Sequence, residues 1–328
     1  MNRQHPQPLR ILMSQPSMAQ LGEAVAEVMG AQPYELMALD AAVASNRTDA
    51  DVAFISREVT GASTKHEIHP ALQQVYDLLS QSAGLQWVHI HSAGADRQIY
   101  LDLRARGVQI ATSSGANAQV VATTALAGLL ALARRFPMLW AEQQAQQWRP
   151  MLGERTPRDL PGQTATIVGW GPIGQQLASL LQALGLKVVA VRQQAGPQTL
   201  LRADAVEQVT FEGFHQVLHR TDWLILACPL TDKTRQLVNT PALAALPRGA
   251  HVINVARGEV VDQSALVAAL QSGHLGGAFL DVFAHEPLPA DSPLWAMPHV
   301  MVTPHAAGHS DGNENRVAQM FLDNFFNW

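Results

Sequence analysis

The first third of the chain alternates short apolar runs with longer amphipathic stretches. Between Leu9 and Ser113 the apolar runs are RILMS, YELMALD, DVAFISR, WVHIHS and VQIAT. Apolar residues at helical spacing fill the longer stretches, such as Met18–Met29 and Pro70–Gln81. Strand-like runs that alternate with helices predict a layered βα domain.

The rest of the chain repeats this alternation after one unusually apolar helix. That helix is predicted from about Ala118 to Phe136 and is apolar on nearly every side, so we expect it to be buried between domains or against another subunit. A second helix is predicted to about Trp148. Later strands are predicted in WLILAC, HVINV, GAFLDV and HVMVT, with a helix from Asp262 to Gly273. This order predicts a parallel, doubly wound sheet.

The segment from Thr164 to Arg192 reads as a strand, a glycine turn, a helix and a second strand. Gly169 suits the tight turn, Gly171 lets the backbone approach a pyrophosphate, and Gly174 lets the helix pack closely on the strand. Pro172 and Ile173 open the helix, whose first amides and positive dipole end favour phosphate. In this context the glycines predict a dinucleotide-binding site.

Arg192 stands at the end of the second strand, where an acidic residue often binds the adenosine ribose. A guanidinium there can bind a 2′-phosphate, which a carboxylate would repel. The alternative is an ordinary solvated arginine at a strand end. With Gln193 beside it and no acid nearby, Arg192 favours NADP, with NADPH preferred over NADH.

Composition narrows the partners. The 328 residues are 47% hydrophobic with a net charge of −5, which suits two α/β domains and gives no electrostatic signature for nucleic acid or anionic membrane. The longest apolar run, Ala125 to Ala133, is too short for a membrane span. Cys228 is the only cysteine, which suits a reducing compartment, so we expect a cytoplasmic protein acting on a small molecule.

Chemistry in a parallel sheet is expected just beyond the carboxyl ends of its strands. A guanidinium (Arg257), a carboxylate (Glu286) and an imidazole (His305) follow predicted strands there. Singly, each has an ordinary explanation as an ion-pair partner, a solvated acid or a turn histidine. Together, at the end of a nucleotide-binding sheet, they supply what reduction of a carbonyl requires.

Several motifs resemble the D-isomer-specific 2-hydroxyacid dehydrogenase family over almost the whole chain. They are SAGAD at 92–96, GWGPIG, CPLTDKT at 228–234, INVARGEVVD at 253–262, LDVFAHEPLP at 280–289 and PLWAMPHVMVTPHAAG ending at Gly308. The resemblance implies an α/β fold with a doubly wound (Rossmann) dinucleotide-binding domain at 117–305. It also implies a smaller flavodoxin-like substrate domain, built discontinuously from 1–116 and 306–328.

The resemblance further implies that a small 2-keto acid, glyoxylate or hydroxypyruvate, is reduced to the D-2-hydroxy acid by hydride from NADPH. His305 would donate the proton, Glu286 would be its partner, and Arg257 would bind the substrate. The chemistry agrees, because an imidazole beside a carboxylate favours its protonated form and arginine stays charged. Relatives that oxidise formate carry Gln where Glu286 stands, which disfavours that activity.

Other roles also follow from the resemblance. The backbone around Ser92, Ala93 and Gly94 would bind the substrate carboxylate, and Asp281 would contact the nicotinamide carboxamide. Family members are usually homodimers joined through the cofactor domain. The full set of expected cofactor contacts is Val121, Gly169, Gly171, Pro172, Ile173, Gly174, Arg192, Gln193, Cys228, Pro229, Thr234, Val255, Ala256, Asp281, His305 and Ala307.

Two alternatives remain at this point. The same fold can serve a regulatory protein that senses a nucleotide, although the chain shows no evident partner-binding tail. His66 with His69, and His89 with His91, have spacings that can hold a metal, but no cysteine or carboxylate cluster accompanies them, so we expect no metal site.

Overall fold

The computed structural model describes residues 7–194 and 206–328. Its strands are β1 (Leu9–Met13), β2 (Tyr34–Ala38), β3 (Val52–Ile55), β4 (Trp87–Ile90), β5 (Gln109–Thr112), β6 (Thr164–Val168), β7 (Lys187–Arg192), β8 (Glu207–Thr210), β9 (Trp223–Leu226), β10 (His251–Asn254), β11 (Gly277–Leu280) and β12 (Val300–Val302). Its α-helices are α1 (Gln15–Met29), α2 (Leu39–Ala44), α3 (Arg57–Thr60), α4 (Pro70–Gln81), α5 (Gln98–Ala105), α6 (Ala118–Ala133), α7 (Phe136–Gln144), α8 (Pro172–Ala183), α9 (Phe214–Val217), α10 (Thr240–Ala245), α11 (Gln263–Gln271) and α12 (Asn313–Asn327).

The smaller unit comprises the described residues within Met1–Asn117 and Ser310–Trp328. Its five strands are all parallel, in the order β2-β1-β3-β4-β5, which is the flavodoxin-like order. One face of the sheet is covered by α1 and α12, where Phe321 of α12 stacks on Phe54 with ring centroids 4.5 Å apart. The returning C-terminal helix is therefore part of this unit's core.

The larger unit, Ala118–His309, contains a seven-stranded parallel sheet in the order β12-β11-β10-β9-β6-β7-β8. The chain builds outward from β6 in one direction through β7 and β8, and in the other through β9 to β12. Ligands of doubly wound sheets bind where this direction reverses, beyond the carboxyl ends of β6 and β9. The predicted α/β fold class, with two parallel sheets, is confirmed.

One face of the apolar helix α6 is buried within the larger unit itself. Along α6, Gly128 lies against the ring of Phe279 so closely that a Cβ would overlap it, which explains a glycine inside a helix. Thr124 donates from its hydroxyl to the carbonyl of Ala307 at 3.1 Å. The helix ends at Ala133, before the predicted Phe136, because Arg135 adopts the left-handed conformation (φ +58°) that starts a new helix direction.

The boundaries of the two units differ slightly from those in the sequence prediction. Asn117 belongs to the smaller unit and residues 306–309 to the larger. Hydrogen bonds from the amides of Ala306 and Ala307 to the Asp281 carboxylate explain why the chain stays with the larger unit after His305. Within the described ranges, no single helix has the length and apolar character to cross a membrane, although α6 and α7, bent by 67°, pass such a test as a pair.

Candidate functional site

The glycine turn after β6 has the shape that a dinucleotide requires. Gly169 has φ +108°, and a Cβ there would lie 2.5 Å from the carbonyl oxygen of Ala227. A Cβ on Gly174 would overlap the carbonyl oxygen of Gly169, so this glycine sets how closely α8 approaches the turn. A Cβ on Gly171 would meet no atom within 4 Å, which leaves open space beside the first turn of α8, where Pro172 and Ile173 follow. The residues present therefore fit the pyrophosphate of a nicotinamide cofactor.

Arg192 lies at the carboxyl end of β7, one strand from the glycine turn. Its Nη1 donates to Oε1 of Gln208 on the neighbouring strand β8 at 3.2 Å, and the side chain is partly exposed. Gln193 follows as an exposed residue. Gln208 is neutral, so in the described part of the chain no carboxylate forms an ion pair with this guanidinium. That arrangement leaves its charge available to a phosphate.

Arg257 lies in the turn after β10, which is held in shape by the buried side-chain amide of Asn254. Asn254 is 1% exposed; its Oδ1 accepts from the amide of Ala256 at 3.0 Å, and its Nδ2 donates to the carbonyl of Arg257 at 3.1 Å. Val255 and Ala256 are buried in the turn. A Cβ on Gly258 would overlap the backbone at Phe283, so this glycine allows the turn to pack against the loop after β11.

Asp281, at the end of β11, organises the segment that carries the predicted proton donor. Its carboxylate is buried and accepts from the Thr303 hydroxyl at 2.6 Å and from the amides of Ala306 (2.8 Å) and Ala307 (3.0 and 3.1 Å). The amide of His305 donates to the Asp281 carbonyl at 2.8 Å. Asp281 therefore fixes the backbone around His305, in addition to any contact with a cofactor.

His305 and Glu286 form the central pair of the site. The imidazole Nδ1 lies 2.8 Å from Oε2 of Glu286, while Oε1 accepts from the amide of Phe283 at 3.1 Å. Burial raises the pKa of Glu286, but the hydrogen bond to His305, the amide and the Arg257 charge outweigh it and hold that pKa below its usual value. The carboxylate thus stays ionised at neutral pH, and Nδ1 donates to it. The His305 ring is half exposed, and its Nε2 is left for chemistry.

The loop after β9 holds three more predicted cofactor residues, two of which are turned inward. Thr234 is buried; its hydroxyl donates to the carbonyl of Pro229 at 2.7 Å and accepts from the amide of Thr231 at 2.8 Å, so it fixes the shape of the loop. Burial raises the pKa of the Cys228 thiol to about 12, which makes the thiol an unreactive packing group. Pro229 is exposed.

The remaining predicted cofactor contacts, Val121 on α6 and Ala307 after β12, are buried in the same apolar cluster. The larger unit thus brings the predicted strand-end residues to the carboxyl edge of one sheet. Asn254 and Thr303 belong to this site as well, although sequence reasoning did not single them out. The only available signal was their position, a polar residue at or just beyond the end of an apolar strand.

The predicted carboxylate-binding loop lies in the smaller unit, after β4. The Ser92 hydroxyl donates to the Gly94 carbonyl at 2.8 Å and closes a tight bend. Ala93 is exposed, and among the described residues no acceptor takes the main-chain N–H of Ala93 or Gly94. Two adjacent amides with no internal acceptor suit an anion.

Two arginines lie at the same edge of the smaller sheet. Arg57, directly after β3, is half-buried, and burial together with the charge of Arg97 lowers its pKa. Arg97 is held by Nη1 on the Tyr76 hydroxyl (3.0 Å) and by Nη2 on the Ser63 carbonyl (2.8 Å). Because the ends of β3 and β4 are neighbours, this positive charge lies on the same side of the sheet as the Ser92 bend.

One of the histidines considered as metal ligands, His89, has other surroundings. His89 is fully buried among aromatic rings, its Nε2 is 2.9 Å from the Ser113 hydroxyl, and burial lowers its pKa to about 4. In residues 7–194 and 206–328, no group of three or more His, Cys, Asp or Glu side chains is arranged to hold a metal ion.

The fold and this strand-end site define a two-domain dehydrogenase that uses a nicotinamide cofactor. Residues 126–307 match the family model for the D-isomer specific 2-hydroxyacid dehydrogenase, NAD binding domain. The chain belongs to the D-isomer specific 2-hydroxyacid dehydrogenase family, and it is an NAD(P)-dependent enzyme acting on small 2-keto and 2-hydroxy acids.

Individual relatives give the range of substrates. The chain is 32% identical to a glyoxylate reductase of Korarchaeum cryptofilum, over 73% of this chain and 72% of that protein. It is 33% identical to an (S)-sulfolactate dehydrogenase of Chromohalobacter salexigens, over 76% of this chain and 79% of that protein. A solved D-isomer specific 2-hydroxyacid dehydrogenase from Xanthobacter autotrophicus Py2, in complex with NADPH and MES, has a TM-score of 0.71 at 27% identity, covering 97% of this chain and 93% of that one.

Proposed function

We propose that this enzyme reduces a small 2-keto acid, glyoxylate or hydroxypyruvate, to the D-2-hydroxy acid with NADPH. The observation that carries the proposal is the 2.8 Å pair of His305 Nδ1 and Glu286 Oε2 at the carboxyl edge of the nucleotide-binding sheet. The resemblance to a glyoxylate reductase supports the substrate class. In this proposal the larger unit binds the dinucleotide, and the smaller unit forms the substrate domain.

His305 is the proton donor. Glu286 accepts from Nδ1, which fixes the ring orientation and stabilises the imidazolium, so Nε2 carries the proton that the keto oxygen receives. The bound nicotinamide supplies the hydride that the carbonyl carbon receives. After transfer, His305 is neutral and the product is a 2-hydroxy acid, which balances the reaction.

Arg257 stabilises the charge that grows on the keto oxygen and binds the substrate carboxylate. A guanidinium can do both because its donors form a planar fork. The main-chain amides of Ala93 and Gly94 are a second binding element for the substrate carboxylate. They lie in the bend after β4 that the Ser92 hydroxyl closes. We expect Arg257→Lys to lower kcat/KM by about a hundredfold, since a point charge replaces a bidentate contact worth roughly 3 kcal/mol.

A substrate panel tests the proposal directly. Glyoxylate, hydroxypyruvate, sulfopyruvate and 3-phosphohydroxypyruvate are each supplied with NADPH and with NADH, and the loss of reduced-nicotinamide absorbance is followed. Glyoxylate or hydroxypyruvate should give the highest kcat/KM, and chiral chromatography should show the D product where the product is chiral. Folded protein that turns over neither acid contradicts the substrate assignment.

Arg57 is the candidate reader of the substrate's side group. It is half-buried and lies at the strand edge next to the Ser92 bend. In the same panel, Arg57→Gln should change the ratio of kcat/KM between hydroxypyruvate and glyoxylate, because only hydroxypyruvate has a side group to read. An unchanged ratio removes Arg57 from this role.

The preference for NADPH rests on Arg192. Arg192→Asp should raise KM for NADPH at least tenfold and leave KM for NADH nearly unchanged, because a phosphate is then opposed by a carboxylate. Arg192→Gln removes the positive charge without adding a negative one, so it separates the loss of attraction for the 2′-phosphate from repulsion of that phosphate. Lys187→Gln, at the exposed start of β7, is the matched control. Equal losses with both cofactors contradict the preference.

The homodimer expected from the sequence uses the larger unit. On α7, Phe136 and Trp140 are 54% and 62% exposed and lie one helical turn apart, which is a large apolar surface for an isolated chain. Sedimentation should give twice the chain mass, and Trp140→Ser should shift the equilibrium toward the monomer. Wild-type protein that sediments as a monomer contradicts this assembly.

The cytoplasm is the proposed location. Cys228, the only cysteine in the sequence, is buried as a free thiol, and the cofactor and acids of this class are small soluble molecules. Cell fractionation that follows the enzyme activity tests the location.

A further inference from the structure

A cavity lies in the larger unit at the amino-terminal edge of the seven-stranded sheet, opposite to the edge that carries the candidate active site. Its volume is about 420 Å³. Several of the residues that line it stand at the amino ends of strands or on the preceding loops: Trp223 begins β9, His251 begins β10 and His299 precedes β12. We call it the amino-edge pocket. A four-residue strand spans roughly 13 Å, so this pocket and the strand-end site are separate.

The amino-edge pocket has a surplus of positive charge. Arg135, Arg158 and Arg248 line it together with a single carboxylate, Asp222. That carboxylate is already engaged: Oδ1 accepts from Arg158 Nη1 and Oδ2 from the Thr164 amide, both at 2.9 Å. Within residues 7–194 and 206–328, neither Arg135 nor Arg248 forms an ion pair with a carboxylate. Two guanidinium charges are therefore left to face the cavity.

The floor of the pocket offers polar atoms in an enclosed setting. The His251 ring stacks on the buried Trp223 ring, with centroids 4.4 Å apart and planes 19° apart. Burial, with the charges of His299 and Arg135, lowers the pKa of His251 to about 4, so its ring is neutral at physiological pH. Nε2 of His299 is buried and has no hydrogen-bond partner among the described residues. An unpartnered buried polar atom is costly, so this part of the lining is polar and lacks an internal partner.

Glycines let the backbone and the His251 ring pack closely beside the pocket. A Cβ on Gly276 would lie 2.8 Å from Cε1 of His251, and one on Gly277 would lie 2.5 Å from the His299 carbonyl oxygen. On α7, Pro137 and Met138 line the pocket, whereas Phe136 and Trp140 are exposed to solvent. The pocket and the apolar surface proposed for the dimer thus use different residues of the same helix.

We infer that the amino-edge pocket binds a small organic or inorganic anion that carries at least two negative charges. Arg135 and Arg248 contribute the positive charge, and the His299 side chain lines the same cavity. Polycarboxylates and phosphates share this chemistry, so the site is defined by charge and size rather than by one metabolite. It is distinct from the nucleotide site because it lies at the opposite ends of the same strands.

Titration calorimetry on the enzyme saturated with its nicotinamide cofactor tests the inference, since the saturated cofactor site no longer competes for anions. Citrate and inorganic pyrophosphate are titrated separately at constant ionic strength, with chloride as the monovalent comparison. Citrate binding alone identifies a polycarboxylate site and pyrophosphate binding alone a phosphate site; both support the inference. The inference is overturned if neither anion gives measurable heat at about 10 mM, which is tenfold above a dissociation constant of about 1 mM, a value typical of weak sites.

Single substitutions assign the site. Arg135→Gln and Arg248→Gln should each raise Kd for the bound anion tenfold or more, whereas Arg104→Gln on the exposed face of α5 should leave Kd unchanged. All three replace one arginine by the same neutral side chain, so they match in net charge. Binding that is equally weakened by Arg104→Gln reflects overall charge and overturns the assignment, as does binding that neither pocket variant alters.

Discussion

The two edges of the seven-stranded sheet both carry histidines, but in opposite surroundings. At the carboxyl edge, His305 is half exposed and donates to the ionised Glu286 carboxylate at 2.8 Å. At the amino edge, His251 lies on the Trp223 ring, where burial, together with the charges of His299 and Arg135, keeps its imidazole neutral. The comparison teaches that the neighbours of an imidazole, rather than the residue itself, decide whether it can serve as a proton donor.

The same contrast holds for the aspartates that brace each edge. Asp281 is buried and fixes the backbone from Thr303 to Ala307 with four hydrogen bonds. Asp222 is more exposed and holds one amide and one arginine. The carboxyl edge is thus the more rigidly held of the two, as the positioning of a catalytic group requires.

The largest effect should come from removing the carboxyl-edge imidazole. His305→Asn should lower kcat/KM by about 10²- to 10⁴-fold, the usual contribution of a positioned general acid. Asparagine tolerates the left-handed backbone of this residue (φ +51°), so the fold should survive. Steady-state kinetics measures the loss, and fluorescence titration should show that the cofactor still binds.

The matched control is His219→Asn, which changes an exposed histidine of the same unit and should leave kcat/KM within about twofold. An active His305→Asn enzyme would show that the proton comes from another group, and the contrast between the two edges would lose its functional meaning.

The next effect concerns the partner of that imidazole. Glu286→Gln should lower kcat/KM by roughly 10- to 100-fold, because a charge-assisted hydrogen bond becomes a neutral one. Steady-state kinetics measures the loss. Because the Glu286 pKa is already lowered, Glu286 itself does not titrate in the neutral range. A Glu286→Gln enzyme that keeps the full kcat/KM contradicts the pairing.

A third comparison sets the two bracing aspartates against each other. Asp281→Asn should lower the free energy of unfolding by about 2–3 kcal/mol, whereas Asp222→Asn should cost about 1 kcal/mol, since fewer and more exposed hydrogen bonds are weakened. Urea unfolding followed by fluorescence measures both values. Equal losses, or a larger loss for Asp222→Asn, contradict the view that the carboxyl edge is the more tightly held.

Most of the strands and the glycine turn of the nucleotide site could be predicted from the sequence, because local hydrophobic periodicity and the spacing of glycines indicate them directly. It missed β8, a short and mostly polar strand at the sheet edge, and it extended α6 to Phe136 because nothing in the composition marks Arg135 as a left-handed residue. Asn254 and Thr303 were missed because each acts by holding main-chain or neighbouring polar groups, for which one sequence carries no motif. The amino-edge pocket was missed because only folding brings its lining residues together.

The smallest effect belongs to the amino edge and is visible only in acid. The pKa of His251 is about 4 in the folded protein, whereas its ordinary value is 6.5. Between these pH values the unfolded chain therefore binds a proton at His251 that the folded chain does not bind. Stability is full above pH 6.5 and falls as the pH drops from 6.5 toward 4, by at most about 3 kcal/mol for this residue.

His251→Asn removes the titrating group, and it should therefore flatten the fall of unfolding free energy between pH 6.5 and 4, although losing the stack on Trp223 lowers the value at neutral pH. The slope, rather than the absolute value, is the readout, because a purely structural role would shift the whole curve without tilting it. An unchanged slope in His251→Asn would mean that the amino-edge imidazole is charged in the folded protein, and the two edges would then differ in partners but not in protonation.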